Sequence, residues 1–163
     1  MVIIEKGCKL YKISIDLDVI TIAFWKGDKK EIATKFLSRV KNREFIVITP
    51  YFLLLNLLKK WTYLDLKDKI QDFYLKNSKM LTNIEIDLKI KSLGIDDIRI
   101  LKELIKINIK PEDAFLVLIT SIFDINYLIT FNRKHLKNNE NKINGVLKRN
   151  GLKIIKIVEP NEI

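Results

Sequence analysis

Short β-branched runs recur along this chain with helix-period segments between them, and that alternation constrains its fold more than any other feature. Lys12–Ile20 reads as a buried strand, and Glu44–Thr49, Asn126–Thr130 and Leu152–Val158 read the same way. Between them lie segments with apolar residues at three- and four-residue spacing. Lys29–Lys41 places Ile32, Phe36, Leu37 and Val40 on one side. Thr49-Pro50 reads as a cap and first helical position for an apolar helix running from Tyr51 to about Trp61. Leu64–Lys76 is a further helix. Thr82-Asn83-Ile84-Glu85 has the form of a capping box, with Gly94 as the stop. Asp96–Ile107, Pro111–Phe123 and Lys142–Arg149 complete the helical set. Strands separated by helices imply an α/β fold: a three-layer sandwich with a central, mainly parallel sheet and helices on both faces. Leu152–Val158 alternates enough to lie at a sheet edge.

At 163 residues the chain is read as a single domain, 1–163, and its 48% hydrophobic content suffices for a core. Cys8 and His135 are the only cysteine and the only histidine, so neither a disulfide nor a four-ligand zinc site is available within the chain. Met1–Gly7 lacks the apolar core of a signal peptide. The longest apolar stretch, Ala114–Phe123, is too short for a bilayer, which needs about 20 residues. A soluble, cytoplasmic protein without membrane attachment is the expectation. The formal net charge of +10 has two readings, an anionic partner such as RNA or a general lysine bias.

Acidic and amide residues sit where such a sheet places its ligand crevice, just beyond the carboxyl ends of strands. Asp16 interrupts an otherwise apolar strand run, where a carboxylate needs a metal, a cation or several N–H donors. Asp18 reads either as a neighbour of that site or as a loop cap. Asp113 lies in the first turn after Pro111, where an acid also gains about 0.3–1 kcal/mol from the helix dipole. Thr130 and Asn132 follow the third strand run. Asn56, in Leu53-Leu54-Leu55-Asn56-Leu57-Leu58, is either a site residue or a buried amide. Glu112 and Asp124 read as solvated or capping, His135 as a surface residue, and Trp25 and Trp61 as core. From Arg133 to Lys156 eight Lys or Arg residues face one acid, Glu140, which suits either phosphate contact or a solvated face.

Four segments together resemble the PIN-domain family, which includes the VapC-like toxin ribonucleases. They are Ile15-Asp16-Leu17-Asp18-Val19, Thr49-Pro50 with the apolar helix after it, Glu112-Asp113-Ala114, and Leu128-Ile129-Thr130-Phe131-Asn132-Arg133-Lys134-His135-Leu136. The resemblance spans about residues 12 to 158. It implies a Mg²⁺- or Mn²⁺-dependent endoribonuclease with Asp16 and Asp113 as metal ligands and Asn132 among the catalytic residues. Thr130 would orient an acidic ligand, and Thr130, Arg133 and Lys134 would meet RNA. Asp18 would be auxiliary. A toxin–antitoxin role, an antitoxin protein partner and a homodimer belong to the same expectations.

The chain departs from the family at two positions. Asn56 stands six residues after Pro50, where the family has a glutamate, and Asn132 stands where an aspartate is common. An amide offers a neutral oxygen but no charge and no base. Weak metal binding is therefore expected, and a degenerate fold that binds RNA or a protein without cleaving is the second reading. A different α/β nucleotide-binding domain is a third, and the lack of a glycine-rich phosphate loop counts against it.

Overall fold

The computed structural model describes residues 10–60 and 64–163. Five strands form one all-parallel sheet: β1 Tyr11–Ile15, β2 Phe45–Pro50, β3 Ser78–Leu81, β4 Tyr127–Ile129 and β5 Lys156–Val158, in the spatial order β3-β2-β1-β4-β5. β1 is central, with Ile13 opposite Val47 of β2 and Ile15 opposite Ile129 of β4. Eight helices are described: α1 Leu17–Phe24, α2 Lys30–Lys41, α3 Tyr51–Lys60, α4 Leu64–Asn77, α5 Asn83–Leu93, α6 Asp97–Lys106, α7 Pro111–Ile122 and α8 Glu140–Arg149.

The pleat divides the core in two. Ile13, Ile15, Val47 and Ile129 pack with Val19 and Ile20 of α1, Phe36 and Leu37 of α2, and Ile70, Phe73 and Tyr74 of α4. Ile48, Leu128 and Ile157 pack on the other side with Ile86, Ile100, Leu104, most of α7, and Ile143, Val146 and Leu147 of α8. A parallel sheet is stable when both faces are covered in this way. The result is the three-layer α/β sandwich that the alternating pattern predicts.

Local signals behave as expected at several joints. Thr82 Oγ1 accepts from the Glu85 N–H at 3.2 Å while Glu85 accepts from the Thr82 N–H at 2.8 Å, and Gly94 closes α5 in the left-handed region at φ 61°. Asp96 caps α6 through the Arg99 N–H, and Pro111 opens α7.

Other joints differ. The strand expected over Lys12–Ile20 stops at Ile15, and Leu17–Phe24 is helical. Asp16 breaks the run by taking the N-cap position with extended φ −67°, ψ 148°. Pro50 ends β2 rather than beginning α3, in register with Leu81 of the edge strand β3. β3 is an additional strand, and β5 is an edge as expected but shorter than Leu152–Val158. α3 buries Leu53 and Leu54 but leaves Tyr51 and Leu55 exposed. Trp25 is exposed rather than core, and Trp61 lies outside the described residues. Among the described residues no helix is long and apolar enough to cross a membrane.

Candidate acidic site

β1 and β4 are neighbours whose continuations leave toward opposite faces, α1 to one and α8 to the other. This is the geometry at which open α/β sheets form a crevice beyond their carboxyl ends. A cavity of about 430 Å³ lies there, lined by Asp16, Leu17, Asp18, Leu53, Asn56, Lys110, Glu112, Asp113, Leu116, Asn132 and His135. Asp16, Asp18, Asn56, Asp113 and Asn132 thus meet in one place, although they come from four separate segments.

Thr130 organises one wall. Its side chain is fully buried, its Oγ1 donates to Asp16 Oδ2 at 2.9 Å, and the same oxygen accepts the Asn132 N–H at 2.9 Å. The Asp16 carboxylate also faces the Leu17 and Asp18 N–H groups without closing a full capping hydrogen bond. Asp18 Oδ2 accepts the Phe131 N–H at 3.0 Å, while Asp18 Oδ1 is buried with no hydrogen-bond partner.

Asn132 organises the opposite wall. Its Oδ1 accepts the His135 N–H at 3.1 Å, which turns Nδ2 toward Asp113, donating to Oδ2 at 3.1 Å. A backbone N–H requires the oxygen, so this orientation follows from the hydrogen-bond network. Asn132 therefore positions Asp113.

The electrostatics are those of uncompensated negative charge. Burial, followed by the charge of Asp16, pushes Asp18 up to about 8. Burial and then Asp16 push Asp113 up to about 6, against the pull of Lys110 and His135. Burial raises Asp16, and its hydrogen bonds oppose that rise. Burial of ionisable groups favours their neutral forms unless a cation replaces the lost water.

Tyr74 of α4, which nothing in the sequence reading singled out, is fully buried beneath this wall and donates to the Ile15 carbonyl at 3.0 Å. Burial first, and then the charges of Asp16 and Asp18, hold its phenol well above the usual range. Tyr74→Phe is expected to cost about 1 kcal/mol, a fall of about 2–4 °C in Tm, measured by thermal denaturation.

Arg133 and Lys134 do not line this cavity. Arg133 is ion-paired to the buried Glu159, which also takes Lys29 at 3.3 Å. Lys134 opens onto an adjoining cavity. Lys110, Glu112 and His135 were not expected at the site and do line it. Lys110 and Glu112 flank the Pro111 that starts α7, a proximity that helix-start residues cannot disclose without knowing where the helix points.

The donor chemistry suits a hard divalent cation. Asp16 and Asp113 supply carboxylate oxygens, Asn56 an amide oxygen, and the unpartnered Asp18 Oδ1 is a buried acceptor lacking a donor. Among the described residues no three His, Cys, Asp or Glu side chains form a closed ligand group. A cation here would have at most two carboxylate ligands and would keep much of its water, as Mg²⁺ does, rather than sit in a tight protein cage. Comparison of the chain with protein-family models gives no match, and comparison with curated proteins gives none.

Proposed function

We propose that this chain is a metal-dependent endoribonuclease of PIN type, hydrolysing RNA phosphodiesters with Mg²⁺ or Mn²⁺. The observation that carries the reading is the meeting of Asp16, Asp113, Asn132 and Asn56 in one cavity beyond β1 and β4. Asp16 and Asp113 would hold the cation, which supplies, when bound, an activated water and charge stabilisation at the scissile phosphate. Thr130 aims Asp16 by its hydroxyl, and Asn132 aims Asp113 by its amide. Asp18 stands beside Asp16 and keeps one buried oxygen without a donor, a position that favours its ionised form only when a cation is bound. The net charge of +10 suits an RNA substrate. The finer expectations of a toxin–antitoxin role, an antitoxin partner and a homodimer rest on the resemblance alone, and a cytoplasmic location rests on the lone Cys8 and the character of the N-terminal residues.

The test is cleavage of a mixed RNA pool with Mn²⁺, with wild type and Asp16→Asn side by side. Wild type is expected to cleave and to stop in EDTA. Asp16→Asn should lose more than about 100-fold, beyond the range for losing a merely supporting residue of a metal site. Cleavage that survives this change would remove Asp16 from the chemistry.

One observation favours a second reading, a PIN-like domain that binds RNA or a protein without cleaving. Asn56 lines the cavity as a neutral amide where the resemblance expects a carboxylate. RNA binding by a wild type that never cleaves, with either metal, would select it.

A further inference from the structure

A second cavity, about 570 Å³, adjoins the acidic one and shares Lys110 and His135 with it. Its other lining residues are Ile105, Ile107, Asn108, Ile109, Lys134, Asn139 and Lys142. We propose that this cavity binds the phosphodiester backbone of single-stranded RNA next to the nucleotide held in the acidic site. The assignment rests on the nuclease reading for the identity of the neighbouring site.

The lining holds three lysines and no carboxylate. Arg133, Lys137, Arg149 and Lys153 each meet a carboxylate: Glu159, Glu162, Glu103 and Asp124. Lys110, Lys134 and Lys142 make no ion pair among the described residues, yet all three border this one concavity. Lys110 stands at the border with the acidic cavity, whereas Lys134 and Lys142 line only the basic one. Cations grouped away from carboxylates form a site for an anion, and a phosphate chain supplies anions at a regular spacing.

The cavity is also braced. Asn139 Nδ2 donates to the carbonyls of Lys134 and His135, holding the turn that carries both residues. On the facing wall Asn108 adopts a left-handed backbone, φ 68°, and its carbonyl meets His135 Nδ1 at 3.3 Å. That contact ties the α6–α7 connection to the turn after β4. Ile107 and Ile109 give the cavity an apolar lining against which a ribose or base can lie without sequence demand. The acidic cavity repels phosphate until a cation occupies it, so the basic cavity is the part of the surface that holds RNA without metal.

The test uses the full chain in EDTA with a labelled single-stranded RNA of about twelve nucleotides, within the span of common single-strand sites. Affinity is read by fluorescence anisotropy across a salt series. Lys134→Gln with Lys142→Gln should weaken binding about tenfold or more and lower the log–log salt slope by about 1.4, from 0.7 per lost phosphate contact. Lys26→Gln with Lys91→Gln, which removes equal charge outside both cavities and outside residues 133–156, should change affinity far less. With Mn²⁺, the cavity variant should raise KM and leave kcat close to wild type.

Equal losses in the two double variants, or none in either, would overturn the assignment. So would displacement of the RNA by a polyglutamate peptide at equal concentration, which would mark an acidic protein as the ligand. A wild type that cleaves, with a cavity variant that binds and cleaves as well, defeats the subsite alone. Lysine-dependent RNA binding without any cleavage defeats the nuclease reading and leaves the subsite standing.

Discussion

Asp18→Asn is expected to raise the melting temperature of the metal-free protein by about 2–12 °C at pH 8, and by little near pH 4. Asp18 Oδ2 takes the Phe131 N–H, whereas Oδ1 is buried without a donor. An asparagine keeps the first contact and removes the buried charge that faces Asp16. Removing a buried charge that no donor or cation compensates returns about 1–3 kcal/mol, and each kcal/mol is about 2–4 °C for a chain of this size. The pH direction follows from the raised carboxyl. Asp18 titrates near 3.8 when unfolded and is pushed up to about 8 in the fold, by burial and then by Asp16. The folded state therefore binds the extra proton between those values, and stability falls as pH rises through that window. Asparagine removes this slope at position 18. Added Mn²⁺ should stabilise wild type more at pH 8 than at pH 5, because metal and proton compete for the same carboxylates. Scanning calorimetry in EDTA and in Mn²⁺ checks both statements. Equal melting of the two proteins at pH 8 would show that Asp18 carries no penalty.

Asn132→Asp combined with Asn56→Glu is expected to lower Tm in EDTA while raising Mn²⁺-dependent cleavage about tenfold or more. Asn132 Nδ2 now donates to Asp113 Oδ2, and a carboxylate at that position has no proton to give. Two acids in contact cannot both ionise cheaply, so the metal-free fold suffers. A bound cation reverses the sign, because the same oxygens become ligands and the added charge raises its occupancy. The His135 N–H keeps its acceptor in either case, so the turn after β4 is preserved. A double variant that melts lower but gains neither Mn²⁺ affinity by calorimetry nor cleavage would show that missing charge is not what limits this site.

The three-layer plan was legible because its signals are local and redundant: capping box, proline start, and alternating strand and helix periods. The candidate site was legible where a polar residue broke an apolar run, as at Asp16, and Asn132 was reached through the strand end and the resemblance. α1 was hidden by Val19, Ile20, Thr21 and Ile22, whose β-branched side chains extend the strand pattern of β1. What overrides that preference is packing, since Val19 and Ile20 are fully buried in the core beside α2 and α4. β3 was hidden by its length and its polar start, Ser78-Lys79. Lys110, His135 and Tyr74 were beyond reach for a different reason. Each is unremarkable in its own segment and gains meaning only from what another segment places beside it.

The central position of β1 sets when the acidic site can exist during synthesis. β1 is made well before β4, yet β4 is one of its two sheet neighbours, and the Asp16 N–H bonds to the Ile129 carbonyl. Thr130, which aims Asp16, and Asn132, which aims Asp113, both follow that strand. Pairings this distant along the chain close late, after much loop entropy has been lost. A nascent chain that has reached only about residue 100 therefore carries Asp16 without Asp113, Thr130, Asn132 or the Ile129 carbonyl. Any hydrolysis of RNA would be deferred until the last third of the polypeptide has threaded into the sheet.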